Sequence, residues 1–175
     1  MTGDESAPAP EPFEYLERVQ WQAFRRACAT MRLHDALQRR IWAFQAPKVE
    51  ALGWFPDEGG SADLTRYLSR LGAECAVYVR ESTGPWPPTR ARTRGGGGRL
   101  VVAAAVWPRA GLSGLRIAAY GRDRSLEEVD TDGVRLEDTH LDVPWLRACL
   151  PGPDQPPLRV VERWRRAATA RFDWL

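Results

Sequence analysis

The stretch RLVVAAAVW, Arg99–Trp107, constrains the fold of this 175-residue chain more than any other. Every side chain after the first is apolar, so the run has neither the alternation of a half-buried strand nor the polar face of a surface helix. Its valines favour extended backbone. Pro108 ends the run, because proline has no N–H to donate to a strand ladder. The pattern therefore predicts a central strand with both faces covered.

Shorter segments with strand character lie on both sides of this run. Residues 74–81, ECAVYVRE, and 115–121, LRIAAYG, alternate between apolar and other side chains as half-buried strands do. Residues 125–138 contain two short runs about Asp132-Gly133, a dipeptide that closes hairpins because glycine tolerates a positive φ. Together these segments predict a mainly antiparallel sheet.

Helical spacing of apolar residues marks the N-terminal part of the chain. Between Phe13 and Met31 these residues lie on one arc of an amphipathic helix. A second stripe continues at intervals of three and four residues until Pro47, whose ring clashes with the preceding turn of a helix. The members of this second stripe are Leu33, Leu37, Ile41 and Phe44. Two successive helices are therefore expected before residue 47.

Two further helices are expected, one before the strands and one after them. Ser61 can cap a short helix that ends at Gly72. Near the C-terminus, apolar residues at helical spacing predict a final helix. These residues are Leu158, Val161, Trp164, Ala168 and Phe172.

The order of the elements indicates the α+β class: N-terminal helices, a mainly antiparallel sheet of three to five strands, and a C-terminal helix. The length fits one domain, residues 13–175. Residues 1–12 are acidic, rich in proline and poor in large apolar groups, so a disordered tail is expected. Residues 83–98, rich in Pro, Arg and Gly, are expected to form a flexible loop. One shared core is expected to contain Trp21, Phe24, Leu37, Ile41, Val102, Val106, Ile117 and Trp164.

The residues that could bind a metal do not form a metal-binding pattern. Cys28, Cys75 and Cys149 are widely spaced and odd in number, which argues against a zinc site and a disulfide framework and predicts buried free thiols. The acidic run at 128–139 matches several ligand positions of a calcium loop, but its twelfth position is Thr139 instead of glutamate. An acidic hairpin is the favoured interpretation, and no metal or cofactor is assigned.

Two arrangements point towards catalysis. One pairs a cysteine thiolate with His34 or His140 as base, although no spacing brings these residues together. In the other, Arg92, Gly95 and Gly97 resemble the R-x-x-G-x-G pattern with which GNAT-type acetyltransferases bind the pyrophosphate of acetyl-CoA at a helix N-terminus. This resemblance covers about eight residues and implies acyl-CoA-dependent transfer, with a helix over 99–107. No catalytic residue is assigned, and an enzyme is the less favoured class.

Charge is segregated along the chain although the net charge is only +2. Residues 61–125 carry +7 and residues 126–158 carry −6. The 24 arginines against one lysine are a bias that a GC-rich coding sequence also produces, so arginine density alone is weak evidence for nucleic acid. If the basic segments share a face, they form a surface on which Trp86 can stack on a base. The candidate partner-binding residues are Trp86, Arg90, Arg92, Arg94, Arg99, Arg159, Arg163 and Arg166.

These observations favour a small cytoplasmic binding or regulatory protein that acts through protein–protein contacts, with Trp86 as the anchor. The opposite charge blocks can neutralise each other, within the fold or across a homodimer, which leaves little net field to recruit a polyanion. Nucleic-acid binding through the arginine-rich loop and the basic C-terminal helix is the alternative, and acyl-CoA-dependent acetyl transfer is a further one. No apolar run of about 18 residues predicts a membrane span, and the N-terminal residues lack the pattern of a signal sequence.

Overall fold

A computed structural model of the chain describes residues 11–46, 52–54, 61–84 and 98–155. Within these ranges it contains three α-helices, six strands and two 3-10 helices. The α-helices are α1 (Pro12–His34), α2 (Ser61–Leu71) and α3 (Pro144–Ala148). The strands are β1 (Arg40–Phe44), β2 (Leu52–Trp54), β3 (Cys75–Thr83), β4 (Arg99–Trp107), β5 (Leu112–Tyr120) and β6 (Leu126–Val129). The 3-10 helices are Pro108–Ala110 and Leu136–Asp138.

The six strands form one sheet in the order β2-β1-β3-β4-β5-β6, and every neighbouring pair is antiparallel. The α+β class and the antiparallel sheet are therefore confirmed, with one strand more than the upper number expected. Strand β4 pairs with β3 on one side and β5 on the other, and every residue after Arg99 is buried. The prediction of a central strand with both faces covered is confirmed.

Helices cover both faces of the sheet, so the described residues form two apolar clusters instead of one. Helix α1 packs on one face, against β3, β4 and β5, while α2, α3 and the second 3-10 helix pack on the other. Because successive side chains of a strand point to opposite faces, Val101 packs against α1 and Val102 against α2 and α3.

The single shared core expected from the sequence is therefore wrong. Ile41, Val106 and Ile117 join Val102 on the α2–α3 face, whereas Phe24 belongs to the α1 face and Leu37 lies at its margin. Trp21 is 38% exposed. Trp164 lies outside the described residues, as do residues 1–10 of the expected tail, residues 85–97 of the expected loop and the expected C-terminal helix.

The second of the two helices expected before residue 47 is a strand. Helix α1 ends at His34, and Asp35 adopts a left-handed conformation (φ 53°) while its N–H donates to the Met31 carbonyl. The chain then enters β1, which lies between β2 and β3. Residues 41–44 are all buried, so their apolar run serves a strand covered on both faces.

Two other expectations about the strands need correction. The first half of β3, Cys75–Val79, is buried on both faces instead of one, because α1 and α2 cover it from opposite sides. The expected hairpin about Gly133 contains a turn, closed by the Val134 N–H on the Thr131 carbonyl, but only β6 before it is a strand. After this turn Leu136 starts the second 3-10 helix and is buried.

Candidate protein-interaction surface

Of the eight candidate partner-binding residues, only Arg99 lies in the described part of the chain. Trp86, Arg90, Arg92, Arg94, Arg159, Arg163 and Arg166 lie outside the described residues. The segment that contains the first four connects β3 to β4 along the chain, and at the ends of these two strands the Gly84 N–H donates to the Gly98 carbonyl at 3.4 Å. The arginine-rich stretch thus joins two adjacent antiparallel strands.

Arg99 is engaged by residues of its own chain. Its Nη1 donates to Asp35 Oδ1 at 2.6 Å, its Nη2 donates to the Asp35 carbonyl at 2.7 Å, and its Nε donates to Glu81. The guanidinium also lies 5.0 Å from the Tyr120 ring centroid. Hydrogen bonds from Arg99 and then Tyr120 lower the pKa of Asp35. Arg99 therefore ties the start of β4 to the end of α1, and its charge is matched by two carboxylates.

The residues that follow the glycine run form β4 and not a helix. A phosphate site of the GNAT type needs the first turn of a helix, whose N–H groups point at the anion. In a strand these N–H groups pair with the neighbouring strands instead. The helix that the R-x-x-G-x-G resemblance implies over 99–107 is therefore wrong.

The thiols of the described residues suit packing better than nucleophilic chemistry. No disulfide joins the three cysteines; Cys75 and Cys149 are buried, as expected, and Cys28 is half-buried. Burial raises the pKa of Cys28 to about 11 and raises that of Cys75 further, so both stay protonated at neutral pH. Across the described ranges, no three His, Cys, Asp or Glu residues are grouped as metal ligands. Asp130 instead accepts the Asp132 N–H at 2.9 Å.

Trp21 is an aromatic side chain that the structure places at the surface. Trp21 lies on α1, and the guanidinium carbons of Arg25 and Arg116 lie 5.9 Å and 4.9 Å from its ring centroid. Arg116 belongs to β5. Arg116 is held in turn by Glu128 at 2.8 Å and by Glu17 at 3.3 Å. Such cation–π contacts orient the indole while leaving part of it in solvent.

The position of Trp21 follows from how its neighbour Gln20 seats α1 on the sheet. Gln20 is buried, and its Nε2 donates to the Ala103 carbonyl of β4 at 2.9 Å. Its Oε1 would lie 2.8 Å from a Cβ at Gly114 of β5, so the glycine allows this approach. One residue later, about 100° around the helix, Trp21 emerges on the side of α1 that faces β5 and β6.

Strand β6 ends the sheet and is joined to β5 by a three-residue turn. The Gly121 N–H donates to the Ser125 carbonyl at 2.9 Å, and Arg124 adopts a left-handed conformation (φ 64°) as such turns require. Beyond β6, Thr131 Oγ1 donates to the Leu115 carbonyl at 2.9 Å and closes the ladder. Among the described residues no strand pairs with the outer side of β6.

The turn fixes which backbone groups of β6 point outwards. Hydrogen-bonded pairs alternate along an antiparallel ladder, so counting from Ser125 makes Glu127 and Val129 bond to β5 through their backbone. The N–H and C=O groups of Leu126 and Glu128 consequently point away from β5. The side chains of β6 alternate between the two faces of the sheet. Leu126 lies on the α1 face and Val129 on the α2–α3 face.

Exposed charged residues of both signs lie on β6 and in the segments that flank it. The exposed acids are Glu127, Asp130 and Asp132, the exposed bases are Arg122, Arg124 and Arg135, and Glu128 shares Arg116 with Glu17. We call Trp21, Arg25, Arg116 and β6 together the α1–β6 surface. It offers an aromatic ring, two arginines, two glutamates and outward-pointing backbone hydrogen-bonding groups.

Sequence reasoning missed this surface for identifiable reasons. Trp21 falls within the apolar face of α1. Helical periodicity identifies this face, but it does not say which residues at the border of the face stay exposed. The adjacent acids Glu127 and Glu128 in a short strand were a usable signal, because edge strands carry charge more often than interior ones.

Within the described residues, no helix is both long enough and apolar enough to cross a bilayer. Comparison with protein-family models, with curated proteins and with solved structures finds no match to this chain.

Proposed function

We propose that this protein is a binding or regulatory module that acts through protein–protein contacts, with the α1–β6 surface as its contact region. The observation that carries the proposal is Trp21, a tryptophan 38% exposed on a long helix and oriented by Arg25 and Arg116. Trp145 is equally exposed, but it lies on the five-residue helix α3 with its ring edge-on to Tyr78. Tryptophan and arginine are the residues in which contact energy concentrates at protein interfaces. Here they occur together on rigid elements beside an open sheet edge.

The electrostatics of the described residues favour a protein partner over a polyanion. Four arginines are matched by carboxylates of the same chain: Arg99 by Asp35 and Glu81, Arg109 by Glu74, Arg116 by Glu17 and Glu128, and Arg147 by Glu137 and Asp142. Paired guanidiniums add little to the long-range field that attracts nucleic acid. Nucleic-acid binding through the segments that contain Arg90–Arg94 and Arg159–Arg166 is the competing proposal.

Photo-crosslinking from the protein in its native cell tests the proposal. A photoreactive amino acid replaces Gln22, which is exposed beside Trp21 on α1, and in a matched control it replaces Thr65, which is exposed on α2 across the sheet. We expect a discrete protein adduct from position 22 and none from position 65. Adducts should disappear when Trp21→Ala is added but persist with Leu33→Ala, which removes an exposed apolar side chain from the end of the same helix.

Two outcomes would contradict the proposal. Equal adducts from positions 22 and 65, or adducts that do not change with Trp21→Ala, would show that the α1–β6 surface has no special role. Recovery of nucleic acid in place of protein would favour the competing proposal. Circular dichroism of each variant separates a lost contact from a lost fold.

A further inference from the structure

We infer that β6 accepts an added strand from a partner, and that this strand reads apolar-basic-basic-apolar. The inference deepens the proposed function, on which it rests, by naming the mode of binding and the chemistry of the partner. It follows from the backbone geometry of β6 together with the order of its side chains.

The backbone supplies the attachment. Leu126 and Glu128 each direct one N–H and one C=O away from β5, so a partner strand can form four main-chain hydrogen bonds across two residues. Among the described residues no strand pairs with the outer side of β6, so this side can take an added strand. Trp21 and Arg116 lie beside this edge of the sheet.

The side chains of β6 specify the partner. The strand reads Leu126, Glu127, Glu128, Val129, which is apolar-acidic-acidic-apolar in either direction. A directly opposed strand meets each of these side chains at about 4.5–5.5 Å between Cβ atoms, where opposite charges stabilise and like charges destabilise. The complement is an apolar-basic-basic-apolar segment. Because the pattern is symmetrical, it fits both parallel and antiparallel addition.

A second copy of β6 fits less well than a basic segment. In the antiparallel alignment that uses the outward groups of Leu126 and Glu128 in both copies, the two copies of Glu127 lie directly opposite each other. A basic partner avoids this repulsion. Glu128 can still accept a second cation, since a carboxylate has two oxygens and Arg116 donates to Oε1.

The experiment measures binding of the synthetic peptide acetyl-SVRRVS-amide to the full chain by NMR titration at low salt, with acetyl-SVEEVS-amide as the charge-reversed control. The decisive variants are Glu128→Pro, which removes one outward N–H, and Glu128→Ala, which removes the same carboxylate but keeps that N–H. We expect measurable binding of the basic peptide alone, a two- to fivefold loss with Glu128→Ala and at least a further tenfold loss with Glu128→Pro.

Equal affinity of the two variants would overturn strand addition, because the outward N–H would then contribute nothing. Equal affinity for the two peptides would overturn the stated chemistry of the partner. Should Glu128→Pro not fold, protection of the Leu126 and Glu128 amides of the wild-type protein by the basic peptide supplies the same evidence, and unchanged exchange overturns it. The proposed function is tested separately, because it fails if the crosslinked adduct does not depend on Trp21.

Discussion

Strands β4 and β6 belong to the same sheet but differ in strand partners, burial and charge. Strand β4 has a partner on each side and helices over both faces, and after Arg99 all its residues are apolar and buried. Among the described residues β6 pairs with one strand only, and its two central residues are exposed glutamates. The difference shows that the interior strand is specified by burial, whereas the edge strand keeps unpaired backbone beside charges that deter indiscriminate pairing.

The same substitution in both strands should separate them most clearly. Ala104→Pro removes a ladder N–H from β4 and places the ring between covered faces, so we expect a loss of unfolding free energy of about 3 kcal/mol or more, or no folded protein. Glu128→Pro removes an outward N–H, and we expect less than about 1 kcal/mol of change. Urea denaturation of the two variants measures both. Comparable losses would show that β6 is covered in the same way as β4.

Truncating a side chain should cost more unfolding free energy in the interior of the sheet than at its β6 edge. Ile117 is fully buried between β5 and the helices of the α2–α3 face, so Ile117→Ala is expected to cost about 2–5 kcal/mol. Leu126 is half-buried at the edge, and Leu126→Ala should cost about 1 kcal/mol. Thermal and urea unfolding provide the comparison. A larger loss at Leu126 would mean that the edge contributes more to the core than its exposure indicates.

The seating of α1 on β4 and β5 can be tested with a double-mutant cycle. Gly114→Ala places a methyl group against Gln20 Oε1, and we expect a loss of about 1–3 kcal/mol. Gln20→Ala removes the obstacle, although it also removes the hydrogen bond to the Ala103 carbonyl. The double variant should therefore be more stable than the sum of the single losses predicts. Strict additivity would show that the two residues do not meet.

Acid titration tests the charged end of β4, with the smallest expected effect. Because Arg99 and Tyr120 lower the pKa of Asp35, its carboxylate stabilises the fold above its unfolded-state pKa of about 3.9 and loses this contribution as pH falls through the lower folded-state value. Asp35→Asn should be slightly less stable than wild type at pH 7, and this difference should vanish below about pH 3. Asparagine tolerates the left-handed backbone at this position, so the comparison is matched. If the stability difference between Asp35→Asn and wild type grew as the pH fell, the pKa of Asp35 would not be lowered in the folded state.

The sequence predicts the interior of this protein better than its edges. The apolar run of β4 and the amphipathic spacing of α1 reveal those elements because burial dictates their composition. The helix expected through Ile41 and Phe44 is wrong because a short buried strand and a helical stripe share the same apolar residues. Nothing near Asp35 marks the helix end, since the left-handed residue there is not glycine.

Sequence reasoning reaches the candidate surface only through the adjacent acids Glu127 and Glu128, because the rest of the surface depends on strand order. That Glu127 lies at an edge follows from the pairing of β6 with β5 alone, a contact between elements that no local pattern encodes. The exposure of Trp21 likewise depends on Gln20 meeting Gly114 and Ala103, residues more than 80 positions away in the chain. The prolines around Trp86 predict that it is exposed and anchors a contact. Because Trp86 lies outside the described residues, this role stays a prediction.

Amide hydrogen exchange along β6, read residue by residue by NMR, tests the open edge most directly. The account predicts alternation in the free protein: slow exchange at Glu127 and Val129, whose N–H groups bond to β5, and fast exchange at Leu126 and Glu128, whose N–H groups point outwards. Adding acetyl-SVRRVS-amide should slow Leu126 and Glu128 and leave the other two unchanged. Equal protection at all four positions before any peptide is added would contradict the account, because the outer side of β6 would then already be paired.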